Sequence, residues 1–334
     1  MNGSAVALGR KETETVLRAA LGEVHGAEAR LEGWTADRFT THGRHRVVRY
    51  DLRVHVAGAP HVRRHQWVGK FYDRAEDAER AGTILRALAR THSRADFWIV
   101  TPRLVACDPR RGLVLMTYEA GDSLTSAVAQ YGSVVLSAVG RALATLHATD
   151  IAVDGTTSAA AVLAELGPKV AGLCAQFPDQ AVSLRSMLVE LERGMPPLPA
   201  PVSFLHGDFG PAQLLWQTGR IVVLDFDRCT RGDPALDLGN LLTQLYRISL
   251  RKPETLPVAF PSARSAILDA YQRSAPPDPS LGRRVAWYEQ VALLRKIHGL
   301  TFDRTRHPEA DAIQRRRAEA INLLTCERDF VTSF

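Results

Sequence analysis

Cysteine is scarce in this chain: four residues, at positions 107, 174, 229 and 326, with no CxxC pair among them. That spacing excludes a zinc centre built on paired thiolates and offers no disulfide framework, so a reducing, cytoplasmic setting is expected. No apolar run approaches the roughly 18–20 residues of a membrane span, and no membrane partner is expected. The first thirty residues carry Arg10, Lys11, Glu12, Glu14 and Arg18 without an apolar h-region, so a secretory signal is not expected. Glycine is thin where a phosphate loop would need it. Thr40 to His45 contains Gly43 alone, far short of GxGxxG. Lysine is scarce too, supplying five (11, 70, 169, 252, 296) of the 42 Lys and Arg.

The charge that is present is uneven. Residues 1–115 hold 20 Lys and Arg against 13 Asp and Glu. These cations are scattered over strand positions and helix faces, with no basic block interleaved with aromatics, so no nucleic-acid partner is expected. The 334 residues, 46% hydrophobic and 23% charged, suffice for two folded lobes.

Residues 11–24 read as an amphipathic helix with Val16, Leu17, Ala20, Leu21 and Val24 on one stripe. From Arg46 to Val56 the period changes to two: Val48, Tyr50, Leu52, Val54 and Val56 alternate with Arg49, Asp51, Arg53 and His55, which predicts a half-buried strand. A second strand runs through Gln66–Tyr72, and Thr40–His45 is a candidate hairpin tip. Lys70 sits inside that apolar strand of a chain that otherwise prefers arginine. A compact ammonium reaches a phosphate oxygen where a guanidinium fork does not fit; a snorkelling strand-edge lysine is the alternative reading. The helix predicted over Ala75–Ala89 offers Glu76 and Glu79 as partners for it, Glu79 being preferred. Gly112–Gly121 reads as a buried strand entering an extended linker, which puts a lobe boundary near residues 117–121. Residues 1–118 then form a nucleotide-binding lobe, and 119–334 a larger, mostly helical one. His147, at a predicted helix end, reads as a capping or packing residue.

The chemistry concentrates in Phe204–Asn240. An apolar strand leads into His206-Gly207-Asp208, Gln213 follows five residues after Asp208, and a turn at Thr218-Gly219 joins Leu214–Trp216 to Ile221–Leu224, which ends on Asp225-Phe226-Asp227. Two oxygen ligands completed by phosphate and water oxygens suit Mg²⁺. A third carboxylate beside them can accept the proton of a hydroxyl as it attacks a terminal phosphate. HGDFGPAQ followed by DFD parallels the H-R-D-x-x-x-x-N and D-F-G elements of protein kinases.

With Gly232-Asp233-Pro234 and Asp237-Leu238 downstream, the chain resembles the aminoglycoside phosphotransferase family of kinase-like small-molecule phosphotransferases. The resemblance implies an α+β, two-lobed protein-kinase-like fold over roughly residues 30–330. The small lobe would be an antiparallel sheet with one main helix. Carried over by residue, it implies Asp208 as catalytic base and Asp225 as the main Mg²⁺ ligand, with Gln213 as the second. Lys70 would hold the α- and β-phosphates of ATP (or of GTP in its place), and Glu79 would be its helix partner. Met116 to Glu119, with Met116 and Tyr118 as contacts, would lie beside the adenine. His206 and Asp237 would brace the catalytic loop, and Asp233 would cap a turn.

Three features depart from the family pattern. Gln213 stands where Asn is usual, and its extra methylene displaces the amide oxygen by about 1.5 Å. Asp227 replaces the glycine of DFG. The weak glycine content at 40–45 leaves backbone amides or Arg44 to cover the phosphates. The expected activity is ATP- and Mg²⁺-dependent transfer to a hydroxyl of a small molecule such as an antibiotic, sugar or other metabolite. The alternatives are a peptide Ser/Thr kinase and a pseudokinase acting as a docking module. An aminoglycoside, being polycationic, would favour an acidic wall. Residues 276–334 instead hold 10 Lys and Arg against 8 Asp and Glu. Arg315-Arg316-Arg317 read there as a solvated helix face, and Trp287, Tyr288 and His298 as candidate pocket residues, although aromatics at helical spacing are more often core.

Overall fold

In the computed structural model the described residues are 8–39, 46–56, 58, 61–91, 98–196, 201–303 and 310–325. Two compact units emerge, Met1–Ser93 with Thr101–Ala120, and Arg94–Val100 with Gly121–Phe334. The chain begins with α1 (Arg10–His25), β1 (Arg30–Phe39), β2 (Arg46–His55), β3 (Arg63–Phe71) and α2 (Ala75–Thr91). The short β4 (Ile99–Val100) belongs to the second unit, after which β5 (Leu104–Asp108) and β6 (Leu113–Thr117) complete the first.

The first unit is an antiparallel sheet in the order β1-β2-β3-β6-β5. Alternation divides its residues between two faces. On one, Val48, Tyr50, Leu52, Val54, Trp67, Phe71, Leu113 and Leu115 are buried with Leu17, Ala20 and Leu21 of α1. The helical stripe and the strand alternation read from sequence therefore meet in a single core. Val24, predicted on that stripe, is exposed instead, at the helix end. The opposite face carries Lys70 and, through the registers Lys70↔Val47, Lys70↔Val114 and Val68↔Met116, three valines and a methionine. Helix α2 packs on β5 through Ala78 and Gly82, with the Cys107 Sγ 3.5 Å from the Ala78 carbonyl. The predicted hairpin tip at 40–45, Arg44 included, lies outside the described residues.

The second unit continues with β7 (Asp122–Ser123), α3 (Leu124–Tyr131), α4 (Ser133–His147), β8 (Thr156–Thr157), α5 (Ala159–Gln176) and α6 (Ala181–Arg193). Next come β9 (Ser203–Leu205), β10 (Leu214–Gln217), β11 (Arg220–Val223) and β12 (Thr230–Gly232). Helices α7 (Ala235–Arg251), α8 (Phe260–Ser274), α9 (Leu281–Phe302) and α10 (Ala310–Thr325) close the chain. Two small sheets, β4-β11-β10-β7 and β8-β12-β9, sit among helices in which α4 packs on α8, and α7 and α10 pack on α9. Among the described residues no helix is long and apolar enough to cross a membrane.

Candidate active site

The loop after β9 is fixed by a carboxylate thirty residues downstream. Asp237, in the first turn of α7 and fully buried, accepts the His206 backbone N–H on Oδ2 at 2.7 Å and the Gly207 N–H on Oδ1 at 2.9 Å. Its Oδ2 also receives His147 Nε2 at 3.2 Å. The other ring nitrogen of His147 lies 2.9 Å from the Tyr271 hydroxyl. Burial, reinforced by the charge of Asp237, pushes the Tyr271 phenol above its ordinary value, so it stays a donor. A carboxylate only accepts, so the His147 Nε2–H donates to Asp237, and Nδ1 of the neutral ring is left to accept from the Tyr271 hydroxyl.

His206 is held as firmly. Its Nδ1 accepts the Asp208 N–H at 3.3 Å, while its Nε2 lies 2.9 Å from the Leu224 carbonyl. A carbonyl only accepts, so the ring carries its proton on Nε2. One imidazole thus ties the backbone at Asp208 to the residue preceding Asp225, with Phe226 and Phe209 packed around it at 5.1 and 5.6 Å between ring centres. Between the two acids' anchors, Gly207 adopts a left-handed φ of 77°. A Cβ there would sit 2.1 Å from the Arg228 carbonyl, so no other residue fits. Asp208 itself is exposed, at the turn of a loop whose flanking backbone is pinned.

Gln213 closes a short 3₁₀ turn, Pro211–Gln213, its N–H on the Gly210 carbonyl. Its own carbonyl accepts the Leu224 N–H at 2.9 Å, one step beyond the β10–β11 register Leu214↔Val223. That hairpin turns on Thr218 (φ 47°) and Gly219 (φ 88°), the two left-handed residues a two-residue turn demands. Register alone thus puts Gln213 beside Asp225.

Both side chains are unusual. Asp225 is exposed and left-handed (φ 63°, ψ 70°), a conformation that costs a non-glycine residue about 1–3 kcal/mol. The Oε1 of Gln213 is buried with no hydrogen-bond partner, a loss of about 1–3 kcal/mol unless something else takes the lone pairs. An orphaned amide oxygen on a residue whose backbone pairs one step before a strained, exposed carboxylate fits a hard cation completed by non-protein oxygens. Among the described residues no group of three or more His, Cys, Asp or Glu could hold a metal. Asp227 lies half-buried on the 3₁₀ turn Phe226–Arg228.

In the first unit Lys70 is 9% exposed, with its Nζ 5.4 Å from the centre of the Tyr72 ring. Met116 is half-buried on the same sheet face. Tyr118 follows β6 with its N–H on the Gln66 carbonyl and its ring 5.7 Å from the Arg49 guanidinium. Of the two candidate partners for Lys70, Glu76 pairs with Arg74 at 3.2 Å, whereas Glu79 lies exposed on α2.

Several residues of the helical region resolve into scaffold. Asp233 is buried and binds Arg284 at 2.8 Å, capping Ala235 with its other oxygen. Trp287 and Tyr288 take the second of the two readings open to them and are core, not pocket: the Trp287 indole donates to the Leu191 carbonyl, and Tyr288 is 2% exposed. At helical spacing their apolar bulk is taken up by interhelix packing. His298 packs beside Phe302. Sequence reasoning did not find the Tyr271–His147–Asp237 relay, because its members lie 124 and 90 positions apart, on α8, α4 and α7, and only the packing of these helices joins them.

The sequence matches the phosphotransferase enzyme family (APH) over residues 51–282. No curated protein matches it significantly. Among solved structures it is similar to the macrolide 2'-phosphotransferase MphH of Brachybacterium faecium, at 21% identity over 92% of this chain and 97% of that one, TM-score 0.55. A thermostable mutant of aminoglycoside phosphotransferase APH(4)-Ia, in ternary complex with ADP and hygromycin B, is similar at 15% identity over 92% and 98%, TM-score 0.57. The ethanolamine kinase of Plasmodium vivax aligns at 12% identity over 100% and 93%, TM-score 0.60. These likenesses confirm an α+β, kinase-like fold.

Proposed function

The chain belongs to the phosphotransferase enzyme family, and from that premise we propose that it moves the γ-phosphoryl group of ATP to a hydroxyl of a small molecule. The observation that carries this reading is the exposed Asp208 on a loop pinned by Asp237 and His206, whose ring also binds Leu224, the residue that precedes Asp225 and pairs with the backbone of Gln213, a residue with an orphaned side-chain oxygen. The likeness to a structure holding ADP and hygromycin B supports a nucleotide and a small acceptor.

Asp208 takes the proton of the acceptor hydroxyl as its oxygen bonds to the γ-phosphorus and the bond to the β-phosphate oxygen breaks, with ADP leaving. Asp225 and Gln213 would hold Mg²⁺, which supplies charge neutralisation on the phosphate oxygens. Lys70 would bind α- and β-phosphate oxygens, Glu79 would steady it, and Met116 and Tyr118 would border the adenine. The His206 ring keeps the base and the carboxylate of Asp225 in register through Leu224.

ADP release from Mg-ATP, measured against a panel of hydroxyl compounds, tests the assignment. Asp208→Ala is expected to lower turnover by about 10²–10⁴-fold while nucleotide still binds, whereas Asp225→Ala abolishes the Mg²⁺ dependence of nucleotide binding. Turnover indifferent to both changes would overturn it.

A further inference from the structure

Helix α7 links the proposed base to a basic cavity. Its Asp237 holds the backbone at His206 and Gly207. Seven residues on, the Gln244 side chain lies against Gly210, so close that a Cβ on Gly210 would come within 2.2 Å of its amide nitrogen. The catalytic loop therefore runs along α7 in the direction of the helix. One turn further, Arg247 lines a cavity of about 860 Å³ between α7, α9 and α10. Arg251 lines it too, about 10 Å beyond Gln244 at 1.5 Å per residue. That volume lies within the range of small-molecule sites, roughly 300–1,000 Å³.

The wall is strongly cationic. Among the described residues of the lining, Arg247, Arg251, Arg295, Lys296, Arg315 and Arg316 stand against two acids, Asp303 and Glu319. Two carboxylates are each shared between two cations. Glu319 serves both Arg247 and Arg251, and Glu165, outside the cavity, serves both Arg295 and Lys169. Arg316 donates to a neutral carbonyl, that of Gly299, at 2.6 Å, and the Nε of Arg295 is buried with no hydrogen-bond partner. Two of the three consecutive arginines thus line a cavity rather than a plain solvated face.

We infer that this cavity receives the acceptor, and that the acceptor is an anion: a small hydroxyl compound that also carries a carboxylate or phosphate. Bidentate guanidinium recognition suits both oxyanions. The inference rests on the phosphotransferase reading for its chemistry but not for its binding test.

The test uses the full chain saturated with Mg²⁺ and a non-hydrolysable ATP analogue, so that added anions cannot occupy the nucleotide site. Binding of glycerol 3-phosphate, citrate and 3-hydroxybutyrate is measured by calorimetry, with glycerol and 3-hydroxybutyramide as neutral counterparts. At least one anion is expected to bind at least tenfold more tightly than its neutral counterpart. Arg251→Glu with Arg315→Glu, both at exposed positions, is expected to weaken that binding tenfold or more without changing affinity for the nucleotide analogue. Equal affinity for anions and neutral compounds, no binding of any anion, or binding unchanged in the double variant would overturn the inference. If anions bind as expected but no hydroxyl compound is phosphorylated, the phosphotransferase reading fails and the anion site stands.

Discussion

At the scale of single residues, the arrangement turns on groups that accept or lack hydrogen bonds. Asp237 receives two backbone N–H groups and an imidazole inside the protein. Asn at that position keeps one accepting oxygen and turns an amide against a donor. Asp237→Asn is therefore expected to cost about 1–3 kcal/mol of stability, read by urea denaturation, and to lower kcat with little change in KM for Mg-ATP, because the loop rather than the nucleotide is disturbed. Gln213 presents the opposite case. Its buried Oε1 lacks any partner, so Gln213→Met removes an unsatisfied group, and without Mg²⁺ the variant is expected to be as stable as the native protein or more stable by about 1 kcal/mol. The same change should erase much of the rise in Tm that Mg²⁺ with nucleotide gives the native protein. A rise in Tm equal to the native one would remove Gln213 from the metal site. Asp208, Gln213 and Asp225 were legible because their spacing, a turn and a two-residue hairpin fix their neighbourhood locally. The orphaned oxygen was not, since burial depends on packing that spacing does not encode.

Elements show where periodicity serves and where it fails. Strand β2 alternates cleanly, and helix α1 offers one apolar stripe, so both were readable and their core could be anticipated. Leu21 is fully buried between them, and Leu21→Ala is expected to destabilise the protein by about 2–5 kcal/mol in chemical denaturation. Strand β1 hid itself. A register shift between Leu31 and Gly33 breaks its alternation, so RLEGWTADRF shows no period of two. The start of α9 depends on charge as well as packing. Arg284 binds Asp278 at 2.8 Å and, through its Nε, Asp233. The Arg284 hydrogen bond holds the Asp278 carboxyl below its usual range, so its stabilising contribution is present above the unfolded carboxylate range near pH 4 and is lost as pH falls through the lower, folded value. Asp278→Asn should accordingly lower Tm at pH 7, with the gap to the native protein closing below about pH 4. A gap independent of pH would show that the ion pair does not govern this helix start.

At the scale of the molecule, the chain divides its work. One unit presents Lys70 on the sheet face opposite its main core, among valines and Met116. The other carries the pinned loop, the orphaned amide and the basic cavity. The family could be read from His206–Asp237 because its spacings are local and short. The basic cavity could not, because its cations come from α7, α9 and α10, which no sequence window contains together. The central claim is that Asp208 accepts a hydroxyl proton during phosphoryl transfer. The most direct measurement is single-turnover transfer of γ-³²P from Mg-ATP to an acceptor hydroxyl, comparing the native protein with Asp208→Asn. The variant should bind Mg-ATP with native affinity and form labelled product about 10²–10⁴-fold more slowly. Product formed at the native rate by Asp208→Asn would contradict the account.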